Sequence, residues 1–211
     1  MKKNKFVLLL SILSLIGTAI TYFYLPAEIP IHWDSSGNVD NWGPKWTLFI
    51  TGALPLILHY LFIWLPKIDP KRENYKKHEK AYSITHKATI YFLILVQWVA
   101  IAEVLYDDFD LSLLIFIGAG ILLIILGNYM PQFRHNYFVG IKTPWTLSDE
   151  TVWKKTHQLG GYTFIILGLL FIVQGFVNHQ LFGYGVTIVA ISMVIGLFAY
   201  SYIIYKQIHS N

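Results

Sequence analysis

Cysteine is absent from the 211 residues, which removes disulfide bonds, thiolate ligands and cysteine nucleophiles at once. Charge is scarce. Asp, Glu, Lys and Arg make up 13% of the chain against 55% hydrophobic residues, whereas a soluble domain carries roughly 25% charged residues. The chain has no glycine-rich phosphate loop, no HExxH order and no convincing Ser/His/Asp arrangement, and no internal repeat or low-complexity linker divides it. A phosphate-loop enzyme and a zinc hydrolase therefore have no support. A direct nucleic-acid partner has none either: the net charge of +4 has no soluble domain over which to spread a basic face.

What is present is apolar sequence in long runs. Six spans are predicted at 6–25, 46–65, 88–106, 111–130, 160–177 and 185–205, each about 20 residues and enough to cross a hydrocarbon core of roughly 30 Å. The first imitates a signal peptide but is longer than an h-region and ends in Tyr22-Phe23-Tyr24-Leu25-Pro26 without a small-residue cleavage site, so it reads as a retained span. With the N-terminus inside, fifteen of the sixteen Lys and Arg residues fall on one side, and Lys45 alone is outside. That asymmetry places both termini in the cytoplasm. The expected fold is an all-α polytopic membrane protein, a six-helix transmembrane bundle.

The loop from Pro26 to Lys45 is then exterior, as are Asp107-Asp108-Phe109-Asp110 and the turn from Asn178 to Gly183. Asp34-Ser35-Ser36-Gly37-Asn38 has turn composition, and Pro26, Pro30 and Pro44 stiffen what surrounds it. His32, Trp33 and Trp42 on this loop form either an aromatic belt at the interface or a recognition surface. Within the spans, Pro55 is expected to kink the second helix near His59; the plainer reading of that histidine is a group satisfied by a neighbouring helix. Glu103 sits one turn inside the outer end of the third span and reads as structural. Gln97, Gln174 and Asn128 offer interhelical hydrogen bonds, while Gly118, Gly120, Ser192 and Gly196 offer close-packing faces. The interior loop from Pro66 to Lys87 reads as a solvated basic connector attracted to anionic lipid. Its His78 and His86 flank a short stretch of helical character and can share a helix face, but without HExxH order or cysteine a zinc site is weakly supported.

One polar stretch stands out, from Gly127 to Gly161. Pro144 disfavours a helical Thr143, so residues 141–145 are expected to be non-helical, with a helix capped by Ser148 and led by Asp149 and Glu150 beginning just after. Trp153, His157 and Gly161 then recur every four residues on one helix face, with Lys154 and Lys155 turned toward headgroups.

Asn128, the run Gly140-Ile141-Lys142-Thr143-Pro144-Trp145-Thr146-Leu147, Trp153 and His157 resemble the signature of the SdpI family of bacterial membrane immunity proteins. The upstream residues Pro30, His32, Trp33, Gly37, Trp42 and Lys45 are similar to the outer-loop motif that often precedes it. Lys142 stands where the family pattern carries Arg, a point charge in place of a fork. The resemblance implies a two-span region at 1–87 with the exterior loop, followed by an SdpI-like four-span region at 88–211 whose cytoplasmic signature loop covers 131–159. It also implies a bacterial cell membrane and a protein that confers resistance to a secreted peptide toxin. On the same resemblance the toxin is expected to be sensed outside and a cytoplasmic transcriptional repressor recruited inside, with no cofactor expected. The alternative is a small transporter or lipid-handling protein, resting on His59, Pro55 and the intramembrane amides. An enzyme is not expected, because Glu103 and His157 should lie about a bilayer apart.

Overall fold

In hydrocarbon a backbone amide has no water to bond, so each apolar run closes its hydrogen bonds within itself as a helix. The structure, a computed structural model, describes residues 4–34, 37–106, 112–177 and 179–210. Helix α1 (Lys5–Thr21) ends in a 3-10 turn and is followed by strands β1 (Glu28–Trp33) and β2 (Val39–Pro44). Then come α2 (Thr47–Ile68), α3 (Asn74–Lys77), α4 (Glu79–Leu105), α5 (Ser112–Tyr129), α6 (Pro144–Ser148), α7 (Glu150–Val177) and α8 (Gln180–His209). Among the described residues, six helices are long and apolar enough to span a membrane: α1, α2, α4, α5, α7 and α8. The chain is a multi-pass all-α membrane protein. Ser35, Ser36, the 107–110 run and Asn178 lie outside the described residues, as do Met1, Lys2, Lys3 and Leu111.

Two local expectations need correction. The loop expected at the exterior is a β-hairpin whose two strands pair antiparallel from Glu28↔Pro44 to Trp33↔Val39, with irregularities either side of His32. Those irregularities interrupt the period-2 alternation by which strands are read, and Pro30 and Pro44 lower strand propensity. The segment from 66 to 87 is no open loop either. Helix α2 runs on through Pro66, α3 follows, and α4 starts at residue 79 rather than 88. Helix α7 starts at 150, where Asp149 and Glu150 are expected to lead a helix, and runs without a break into the span expected at 160–177. At 27 and 28 residues, α4 and α7 are about 40 Å long and overrun the hydrocarbon by roughly 10 Å. Pro55 is accommodated inside α2, which is continuous across it.

Two contacts hold the bundle. Gln97 of α4 donates to the Thr18 hydroxyl of α1 at 3.2 Å and to the Leu48 carbonyl of α2 at 3.3 Å, and it accepts from Thr51 at 2.5 Å. One amide thereby joins three helices. Elsewhere α5 and α7 meet backbone to backbone. A Cβ at Gly120 would lie 2.5 Å from the Gly168 carbonyl oxygen, and one at Gly127 would lie 2.6 Å from that of Gly161. Gly118 instead faces Leu95 of α4, and Gly196 has nothing near it.

Small residues at such crossings let dispersion forces act where apolar burial gives no advantage. Gly120→Val and Gly161→Val should each cost about 1–3 kcal/mol by overpacking and lower the melting temperature of the purified protein. Gly196→Ala should leave it unchanged. Equal melting temperatures across all three variants would exclude the crossing as the stabilising contact.

Candidate functional site

Chemistry-bearing residues gather at both ends of the bundle. At the hairpin end, Trp33 donates its indole N–H to a Glu103 carboxylate oxygen at 2.8 Å, tying β1 to α4. Lys45 donates to the carbonyls of Tyr22 and Leu25 at 3.1 and 2.9 Å and sits 4.6 Å from the Tyr22 ring centroid. Its charge thus satisfies the exposed carbonyls where α1 ends. Gly37 has φ +86° and lies so close to Ser112 that a Cβ would fall 2.4 Å from that residue's own. The turn can therefore press on the start of α5 only because position 37 lacks a side chain. Pro30 is buried, His32 is exposed and 2.5 Å from Asp40, and Trp42 is 56% exposed. A cleft of about 280 Å³ separates the hairpin from α4 and α5, with His32, Trp33, Val96 and Phe116 in its walls.

The other end is denser. Fully buried His157 accepts a hydrogen bond at Nε2 from the Ile141 amide at 3.0 Å, so Nδ1 carries the proton and donates to the Trp153 carbonyl at 2.8 Å. Its ring stacks on Trp153 with centroids 3.9 Å apart. Trp153 in turn donates to the Phe133 carbonyl at 2.8 Å and lies 5.1 Å from the His135 ring. Gly140 adopts φ +125°, and a Cβ there would lie 2.3 Å from His157 Nε2. Only glycine fits that turn.

The next residues correct the expected helix start. Thr143, not Ser148, is a cap: it exchanges bonds with Thr146 in a capping box that starts α6, with Pro144 in its first turn. Residues 144–148 are therefore helical. Asp149 caps α7 by accepting from the Thr151 and Val152 amides at 2.7 and 2.9 Å, and the Val152 bond is the main reason its carboxyl is held below the usual range. Ser148 donates instead to the Trp145 carbonyl. Toward α8, the Thr143 and Ser201 hydroxyls meet at 3.0 Å, and Trp145 packs 5.0 Å from Tyr202. Lys142 is exposed and forms no ion pair or hydrogen bond among the described residues. Asn128 is exposed on α5 beside Gln158 and Tyr162, away from the His157 cluster.

Several residues here were not singled out from sequence. Buried Asp69 accepts from the Lys71 amide, the Tyr75 hydroxyl and the Tyr137 amide at 2.7–2.9 Å. Burial, then Asp69, raises the Tyr75 phenol well above its ordinary value. Buried Asn136 bonds the carbonyls of Arg134 and Val139 and the amides of Phe138 and Val139, closing the turn on itself. Lys71 reaches His135 Nδ1 at 2.6 Å, and the Arg134 amide donates to His78. Burial, followed by Lys71, lowers the pKa of His135. Asp69-Pro70 is a turn signal; Asn136 carries none. No group of three His, Asp or Glu side chains suited to a metal occurs among the described residues.

Two outcomes follow. Gly140→Ala should open the 133–148 segment, seen as faster proteolysis there at an unchanged rate in the hairpin; equal protection would mean that the Gly140–His157 contact does not hold it. Burial, with Arg134 adding to it, pushes His78 from its ordinary 6.5 down to about 4. A neutral buried imidazole stabilises fully above pH 6.5, and that share, roughly 3 kcal/mol, is lost as pH falls toward 4. The melting temperature should hold from pH 8 to 7 and then drop, less steeply in His78→Gln; parallel profiles would contradict this.

A family model for the SdpI/YfhL protein family matches residues 132–205, and one for a domain of unknown function (DUF1648) matches residues 9–58. No solved structure matches. The "Immunity protein SdpI" of Bacillus subtilis (strain 168) is 30% identical over 215 residues, covering 100% of both chains. Aligned end to end at that identity, the chain belongs to the SdpI family.

Proposed function

We propose that this is an immunity protein of a bacterial cell membrane that protects its host from a secreted peptide toxin, and that toxin binding outside is signalled to a cytoplasmic transcriptional repressor inside. The observation that carries the immunity reading is the full-length similarity to an immunity protein. The geometry supports the coupling. Helix α4 holds Glu103, which bonds the hairpin through Trp33, and Gln97 at the three-helix junction. At its other end Tyr82 bonds the Phe62 carbonyl of α2, and His78 receives the Arg134 amide. A displacement of the hairpin is thus passed along one helix to the segment carrying the signature.

In this reading the exposed His32 and Trp42 meet the toxin, while Lys142 and Trp145 form part of the surface that meets the repressor. The switch requires the toxin to bind one helix arrangement more tightly than the other. Sidedness of the cationic residues supports the hairpin facing outward. Protection here is a binding function and needs no catalytic step.

The experiment is expression in a sensitive bacterium challenged with secreted peptides, scored by survival and by a repressor-controlled reporter. The full chain should restore survival. His32→Ala/Trp42→Ala should lower both readouts, whereas Lys142→Ala and Trp145→Ala should keep survival and lose the reporter response. Sensitivity equal to the empty vector across all peptides would refute the immunity reading; full signalling in the inner variants would refute the relay alone.

A further inference from the structure

At the inner end of the bundle a cleft of about 510 Å³ opens between α3, the turn after α5, and the first turns of α7. Three cations line it from three different segments: Lys77 of α3, Arg134 of the loop and Lys154 of α7. None closes a salt bridge or side-chain hydrogen bond among the described residues. Glu73, whose carboxylate also feels Lys77, is bonded to Lys76 at 2.8 Å instead. The one carboxylate in the described lining, Glu150, faces Lys71 at 4.0 Å and His135 at 3.9 Å. Among the described residues the cleft therefore keeps an excess of positive charge that no salt bridge neutralises.

The position of the cleft narrows the choice of anion. Pro131, in its wall, follows directly on the apolar run of α5, and Lys154 precedes the apolar part of α7 by about 9 Å of helix rise. Headgroups occupy roughly 5–8 Å beyond the hydrocarbon on each face. Long basic side chains cover that distance by snorkelling. Phe133 and Trp153 add an apolar wall to the charged one, as an amphiphile with a charged head requires. The volume exceeds what a bare phosphate ion fills.

We propose that this cleft binds a phosphate ester, the headgroup of an acidic phospholipid, with Lys77, Arg134 and Lys154 as its counterions. The site is independent of any toxin. Neutral headgroups are disfavoured, because a zwitterion brings its own cation into the excess positive charge.

The test uses the full chain purified in neutral detergent, titrated with phosphatidylglycerol or phosphatidylcholine and read by native mass spectrometry and melting temperature, with glycerol phosphate as a soluble competitor. Phosphatidylglycerol should be retained in preference to phosphatidylcholine and raise the melting temperature. Retention should fall about fivefold per cation removed in Lys77→Gln/Arg134→Gln/Lys154→Gln, and not in Lys76→Gln/Lys80→Gln/Lys155→Gln, which loses equal charge outside the cleft. Arg134→Gln alone, whose backbone still bonds His78, should move the same way and serves if the triple variant does not fold. Stabilisation by glycerol phosphate alone, with the same dependence on variants, would support the phosphate site and assign it a soluble ligand. No preference for phosphatidylglycerol together with no effect of glycerol phosphate, or equal losses in both triple variants, would overturn the proposal.

Discussion

The imidazole of His157 gives one hydrogen bond to the backbone and takes another from it, and the end of the bundle that carries the signature is assembled around that pair. Non-helical backbone beside a membrane has little water to rely on, so its amides and carbonyls need partners from the protein itself. His157 supplies one for Ile141, Asn136 supplies four for the turn before it, Asp69 supplies one for Tyr137, and Trp153 caps Phe133. The residues that give this segment its character are thus first of all the partners of its backbone. Gly140 is glycine for the same reason, since any Cβ would displace the ring that holds Ile141.

The hairpin follows the same rule with different residues. Lys45 satisfies the carbonyls at the end of α1, and Asp34 accepts from the Asn38 amide within the turn. Trp33 and Glu103 then fix the ribbon to α4. Because His78, at the start of α4, also receives the Arg134 amide of the signature segment, one helix touches both ends. Gln97 sits between them and binds α1 and α2 to the same helix. On the other side of the bundle, the glycine crossing of α5 and α7 sets where Trp153 and His157 can stand. One helix therefore touches the hairpin, the three-helix junction and the signature segment, and one helix pair carries Trp153 and His157.

Much of this was legible in the sequence, and the limits have physical causes. Spans are long, apolar and uninterrupted, so a length argument finds them. The start of α4 was placed too late because the helix continues past the hydrocarbon on polar residues such as Glu79, where hydropathy gives no signal. The start of α7 was legible because Asp149 and Glu150 give a capping signal that does not depend on hydropathy. The hairpin escaped because Pro30 and the bulges about His32 erase its alternation. Ser148 was expected to cap α7 and Asp149 does so instead, a one-residue error of the sort that composition cannot resolve, since both side chains accept. Trp153 and His157 share a face by spacing alone. That His157 would reach back to Ile141 depends on the positive φ at Gly140, which no pattern of residue types reveals.

The two ends can act as receiver and output only if they lie on opposite faces of the membrane. Thiol labelling tests this without background, because the native chain has no cysteine. Asn38→Cys and Ser148→Cys, both at exposed positions, are treated in intact cells with an impermeant maleimide and again after lysis. Labelling of position 38 in intact cells and of position 148 only after lysis is the predicted result. Position 148 reactive from the medium while position 38 stays protected would contradict it.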